Sequence, residues 1–195
     1  MKILLDNGHG SNTPGKRSFD GKLLEYAYCR EIVAGIYNRL KSEGYDVEII
    51  TPETIDISLT TRVKRVNNIC AKVGAKNCLL ISVHNNAAAG STWSSAAGWT
   101  GWIAKTASSN SKKLAQILYS QAEKRKLKGN RYVPECKYWT ADYTIVKKTN
   151  CPAVLTENLF MTNKSEVEYL LSNEGKQAII DLHVDGIKEY IATTK

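Results

Sequence analysis

The chain has 195 residues, 43% of them apolar and 24% charged, with thirteen Gly and four Pro. At roughly 150 residues per domain this length predicts one domain, two at a stretch, and one core suffices; the composition excludes a disordered tail, a collagen and a disulfide-stapled miniprotein. The net charge is +8. No apolar run approaches the ~20 residues of a membrane helix, and Asp6 stops the first one, Ile3-Leu4-Leu5, short of the ~7–15 residues of a signal-peptide core.

Taken in chain order, residues 2–5 read as a strand running into the loop Asp6-Asn7-Gly8. Leu24, Tyr28, Ile32, Ile36 and Leu40 recur every fourth residue and mark one helix face, with Gly44 as its stop. Residues 47–50 form a second strand, closed by Pro52. Ser58 is placed to cap a helix that turns Leu59, Val63, Val66 and Cys70 inward. Residues 78–83 are continuously apolar, the pattern of a strand buried on both faces. Residues 85–98, rich in Ala, Gly, Ser and Asn, read as a mobile loop. A strand follows over 98–104, and Leu114, Ile117, Leu118 and Ala122 mark a helix. Residues 143–146 and 153–156 read as two more strands, and helices near 166–171 and 176–192 finish the chain. Strands alternating with helices predict an α/β fold: a twisted, mostly parallel sheet of about six strands, flanked by helices on both faces, as one domain over 1–195.

Five cysteines (Cys29, Cys70, Cys78, Cys136 and Cys151) cannot all pair and show no C-x-x-C spacing, so they read as buried free thiols of a protein made in a reducing compartment. The charge is unevenly distributed. Residues 61–137 hold fourteen Lys/Arg against two Asp/Glu, which predicts one basic face suited to polyanions. A solvated helix surface is the plainer reading, since Lys124-Arg125-Lys126 suits a helix end.

In open α/β sheets ligands bind beyond the carboxyl ends of the strands. There, His9 follows the first strand, His84 the third, and Glu157 the last. His9 stands between Gly8 and Gly10, which let the backbone turn sharply and leave an imidazole exposed; a solvent-facing loop residue would look the same. His84 ends an apolar strand, where a polar ring needs a partner, and a hydrogen-bonded core histidine would fit too. His183 lies four residues from both Ile179 and Ile187, which points to packing. Glu25 opens the first helix, where the helix dipole alone favours a carboxylate. Glu157 is flanked by apolar residues, so its pKa should be raised, as acid/base work near neutral pH requires. A salt bridge at a sheet edge is the alternative. Hydrolytic zinc sites commonly use two His and one Glu and keep a fourth position open.

The local contexts sharpen this pattern. DNGHGSNTPG, LLEYAYC, LTTRVKRVNN, LISVHNNAA and CPAVLTENLFMTN, read in order, resemble the zinc-dependent N-acetylmuramoyl-L-alanine amidases that cut peptidoglycan, over Ile3 to about Asn163. The resemblance implies Zn²⁺ held by His9, Glu25 and His84, with Glu157 as the catalytic acid/base and Arg62 matching the family's helix arginine. It implies cleavage of the amide between N-acetylmuramic acid and L-alanine. Asn7 stands where the family has Pro, Ser11 where it has a second Gly, Asn85-Asn86 where it has Ala-Asn, and Asn158-Leu159 where it has x-Gly. No nucleotide or redox cofactor is implied. The expected partners are peptidoglycan and, through residues 61–137, anionic wall polymers, with no specific nucleic acid, no membrane span and a monomeric state. The expected location is manufacture in the cytoplasm and action on the wall, as for a lysin or a chain whose export signal is missing. The rival reading is a non-catalytic binder of anionic polymers or nucleic acid, which would not need Glu157.

Overall fold

The computed structural model describes residues 1–194; Lys195, the last residue of the expected domain, lies outside the described residues. Six strands make one sheet in the order β2-β1-β3-β6-β4-β5. They are β1 (Lys2–Asn7), β2 (Asp46–Ile49), β3 (Cys78–Asn86), β4 (Thr100–Ile103), β5 (Trp139–Thr140) and β6 (Ala153–Phe160). All neighbours are parallel except β4 and β6. The helices are α1 (Glu25–Ser42), α2 (Leu59–Val73), α3 (Ser109–Lys124), α4 (Thr144–Lys147), α5 (Lys164–Leu171) and α6 (Asn173–Ala192).

The period of two along the strands builds two cores. Ile3, Leu5, Leu79, Ile81, Val83 and Val154 face α1, α3, α5 and α6. Leu4, Cys78, Leu80, Ala153 and Leu155 face α2 and α4, meeting Val66, Cys70, Ile145 and Val146. The expected α/β architecture with helices on both faces is therefore what forms.

Several local expectations change. Residues 143–146 are not a strand but belong to the turn of α4: adjacent Ile145 and Val146 are both buried, which a helical turn lying on a sheet allows. A short apolar run carries no period long enough to tell the two apart. The sixth strand is instead β5, whose two residues leave no periodic trace. Strands β1, β3 and β6 outrun their expected ends, so His84 and Glu157 lie inside the ladder, paired with each other. Ser58 caps α2 as expected, accepting from the Thr61 N–H, but Leu59 is 51% exposed. All five thiols are free; Cys136 is exposed and the other four are buried.

The basic middle of the chain is partly neutralised by folding. Arg62 pairs with Asp6 and Asp56, Arg65 with Glu53, Lys124 with Glu189 and Arg125 with Asp185. Each of these carboxylates comes from outside residues 61–137.

His183 is buried in α6, hydrogen-bonded to Thr156 Oγ1 at 3.0 Å and Ile179 O at 2.8 Å, and burial pushes its pKa down to about 4. Its role is packing. His183→Ala should keep activity yet lose about 2–4 kcal/mol of stability, through a cavity and two lost hydrogen bonds. In the parent, the unfolded chain binds this proton more readily than the folded one. Stability should therefore fall as pH drops from about 6.5 towards 4, and urea titrations at the two pH values should show a shallower fall in the mutant.

Candidate metal and catalytic site

Strands β1 and β3 lie side by side with Asn7 opposite Val83, and the Gly8 N–H extends the ladder to Val83 O at 2.9 Å. This register carries His9 over His84, with ring centroids 5.0 Å apart and nearly perpendicular. The flanking glycines serve close approach rather than the turn. A Cβ on Gly8 would lie 2.7 Å from His84 Nδ1, and one on Gly10 only 1.9 Å from the Asp56 nitrogen. The turn itself falls on His9, whose φ of +56° is the left-handed region. Arg30 of α1 holds that strained residue, donating from Nη1 to His9 O at 3.0 Å and from Nε to Glu53 O at 3.0 Å.

Glu25 is the first residue of α1, anchored by its N–H to Lys16 O at 3.0 Å. Its Oε1 accepts from the Asn85 N–H at 3.1 Å, and lies 3.1 Å from His84 Nδ1 and 3.5 Å from His9 Nε2. Burial opposes charge on both Glu25 and His84. Their mutual hydrogen bond and attraction outweigh it, holding the carboxyl below and the imidazole above its usual range. Burial lowers His9 to about 4, against the pull of Glu25, so its ring is neutral and keeps a lone pair at neutral pH.

These three groups suit a metal ion. Their donor atoms all lie within 4.8 Å of one another. Neighbouring donors on a tetrahedral zinc stand roughly 3.3–3.6 Å apart, for bonds of about 2.0–2.2 Å. Glu25 Oε2 is buried with no hydrogen-bond partner among the described residues, an arrangement costly without a cation beside it.

Glu157 faces His84 across the β3–β6 ladder. Burial raises its pKa to about 7, the His84 charge opposing and the Glu25 charge assisting. Its Oε2 is also buried and unpartnered among the described residues. The carboxyl borders an open cleft of about 560 Å³ shared with His9, His84, Lys16, Arg62 and Tyr143. After Glu157 the register slips, Phe160 standing opposite Asn86, and Leu159 takes up the extra residue at φ +62°.

A buried polar layer supports the histidines. Arg62 donates to Asp6 Oδ1 and Asp56 Oδ1, both at 2.8 Å, and to Ile57 O at 2.7 Å. Asp6 also accepts from Ser82 Oγ at 2.6 Å and Thr51 Oγ1 at 3.1 Å. Asn158 donates to His84 O at 2.9 Å, while its Oδ1 accepts from Trp99 Nε1 at 2.8 Å.

A family model described as N-acetylmuramoyl-L-alanine amidase matches residues 3–189. The chain belongs to that family. It is 28% identical to the endolysin of Bacillus phage SPP1, covering 99% of this chain and 67% of that protein. It is 29% identical to a probable cell wall amidase of Staphylococcus epidermidis, covering 98% of this chain and 58% of that one. The chain thus spans about three-fifths to two-thirds of the length of these relatives. A crystal structure of an N-acetylmuramoyl-L-alanine amidase from Clostridium difficile 630 superposes with a TM-score of 0.81 at 25% identity, over 100% of this chain and 98% of that one. A Mycobacterium smegmatis amidase structure, at 15% identity and a TM-score of 0.84, shares the fold.

As an N-acetylmuramoyl-L-alanine amidase family member, the chain departs from the motif in ways the structure accommodates. Asn7 donates its backbone N–H to Thr51 Oγ1 at 2.9 Å, a bond a proline could not make. Trp99 is fully buried and belongs to the core. Arg30 has no counterpart among the sequence's candidate residues, and Asn158 stands there only as a departure from the motif. Each acts on a backbone carbonyl of a histidine, and such a contact leaves no spacing to find.

Proposed function

We propose that the chain is a zinc-dependent hydrolase cleaving the amide between the lactyl group of N-acetylmuramic acid and L-alanine in peptidoglycan. His9, Glu25 and His84 hold the metal, and Glu157 moves the proton. The observation that carries the reading is the convergence of two imidazoles on a buried carboxylate whose second oxygen has no partner, beside a separate carboxyl poised near neutrality.

Bound zinc supplies Lewis acidity towards a carbonyl oxygen and a water molecule. Asn85 and α1 fix the carboxylate of Glu25, and Arg30 fixes the turn bearing His9. Asp6, gripped by Arg62 and Ser82, adds buried negative charge beneath His84. Glu157 takes a proton from the attacking water at its carboxylate and returns it to the departing amine nitrogen of L-alanine. A pKa of about 7 lets one group do both.

The test is metal analysis coupled to release of free stem peptide from purified wall. About one zinc per chain is expected, with activity lost to a strong chelator and restored by zinc. Full activity in rigorously metal-free protein would overturn the reading.

A further inference from the structure

Away from the catalytic cleft, a second open groove of about 570 Å³ runs between the β3–β4 loop and the start of α5. Its volume is in the range of small-ligand clefts, about 300–1,000 Å³. One side is the indole of Trp93, 36% exposed, beside Ser94 and Ser95; the other carries Lys164, Ser165 and Glu168. Trp93 does not dangle. It meets Phe19, from the loop that carries His9, at 5.5 Å and 82°, an edge-to-face contact that engages at most one face of the indole. The Ser94 N–H donates to Thr162 O at 2.8 Å, and Asn163 Nδ2 to Ala96 O at 3.1 Å, so the loop is tied to the chain leaving β6. Neither Lys164 nor Glu168 makes an ion pair or side-chain hydrogen bond among the described residues.

We propose that this groove is a subsite for the glycan strand, a β-1,4-linked polymer of N-acetylated hexosamines, with Trp93 as its platform. The proposal rests on the function given above and extends it from the peptide to the sugar chain. A pyranose has an apolar face of C–H groups and a rim of hydroxyl and amide groups. An exposed indole ringed by hydroxyls, one ammonium and one carboxylate complements both. The groove holds one cation and one anion, so it carries no net charge of its own, which suits a neutral sugar and not a polyanion. Its position fits a polymer, because Glu157 and Asn163 are six residues apart, at most about 20 Å of extended chain. That separation is within the length of a few sugar units, and Phe19, from the loop that carries His9, touches Trp93 at the groove.

The probe is a β-1,4-linked N-acetylglucosamine oligomer, a neutral glycan without the lactyl carboxylates that peptide removal bares, with titration followed by backbone amide shifts and by calorimetry. Shifts should map to Trp93, Ser94, Ser95, Lys164, Ser165 and Glu168. Trp93→Ala should bind about tenfold more weakly, and Trp93→Phe should retain most of the affinity. On intact wall Trp93→Ala should raise KM, while turnover of a small muramyl-peptide substrate stays at the parent value. If Trp93→Ala fails to fold by circular dichroism, the Lys164→Ala/Glu168→Ala double variant replaces it, with at least a threefold loss expected. Unchanged glycan binding in the folded variant, shifts confined to other surfaces, or tighter binding of a phosphate-rich wall polymer at the groove would each overturn the proposal. Trp93-dependent glycan binding by a protein that releases no peptide would uphold the groove and refute the amidase reading instead.

Discussion

Glu157→Gln should keep its zinc and lose its turnover, by roughly 10²–10⁴. Glutamine preserves the shape of the side chain in β6 but cannot accept a proton from water. The proposed metal donors lie on β3, α1 and the turn after β1, so the substitution leaves them in place. Zinc content, measured beside kcat on the same preparation, separates loss of the acid/base from loss of the ion. The substitution should also change stability in a way that depends on pH. The Glu157 carboxyl has a pKa of about 7 when folded, against a reference value of 4.5, so folding favours its protonated form. The stability it confers is complete below about pH 4.5 and is lost as pH rises through about 7. Glutamine mimics the protonated form at every pH. Metal-free Glu157→Gln should therefore match the parent near pH 4.5 and exceed it at pH 8, by up to about 3 kcal/mol. A mutant that loses zinc, or is less stable than the parent at pH 8, would contradict this assignment.

Removing a donor should have the opposite profile. His84→Ala should leave almost no zinc in the purified protein and abolish activity with it, since His9 and Glu25 alone cannot enclose the ion. It should also be destabilised without metal. Glu25 is 1% exposed and would lose its strongest hydrogen-bonded counterpart, and stranding one partner of a buried pair costs about 3–5 kcal/mol. Glu25→Gln should lose zinc affinity first and activity as a consequence, but with little loss of stability in the metal-free state, because it removes the buried charge itself. Side-by-side zinc titration of Glu25→Gln and Glu157→Gln decides which carboxylate does what. A loaded Glu25→Gln beside an empty Glu157→Gln would mean the two roles are exchanged.

The amino-acid pattern made much of this site legible because its groups follow apolar runs or open a periodic helix. The apolar runs before His84 and Glu157 announced β3 and β6, and the fourfold spacing of Leu24 to Leu40 announced the helix that Glu25 opens. What stayed hidden follows from the limits of periodicity. The two residues of β5 are too few to show a period, and the four of α4 read equally well as a strand. The glycines beside His9 were legible as backbone requirements, but their reason was not. They make room for His84 and Asp56, neighbours 76 and 46 positions along from the respective glycines by residue number. The basic middle third looked like a surface property, whereas Arg62 is buried and holds the layer beneath the histidines.

The side-by-side packing of β1, β3 and β6 builds the proposed site from residues far apart in sequence. Residues 9, 25, 84 and 157 meet only after two crossover connections have closed the middle of the sheet, with Leu5 opposite Ile81 and Ile81 opposite Val154. No contiguous fragment ending before β6 can contain the whole constellation. The proposed site is therefore complete only once β6 lies beside β3, in the same pairing that brings Val154 and Leu155 into the two cores.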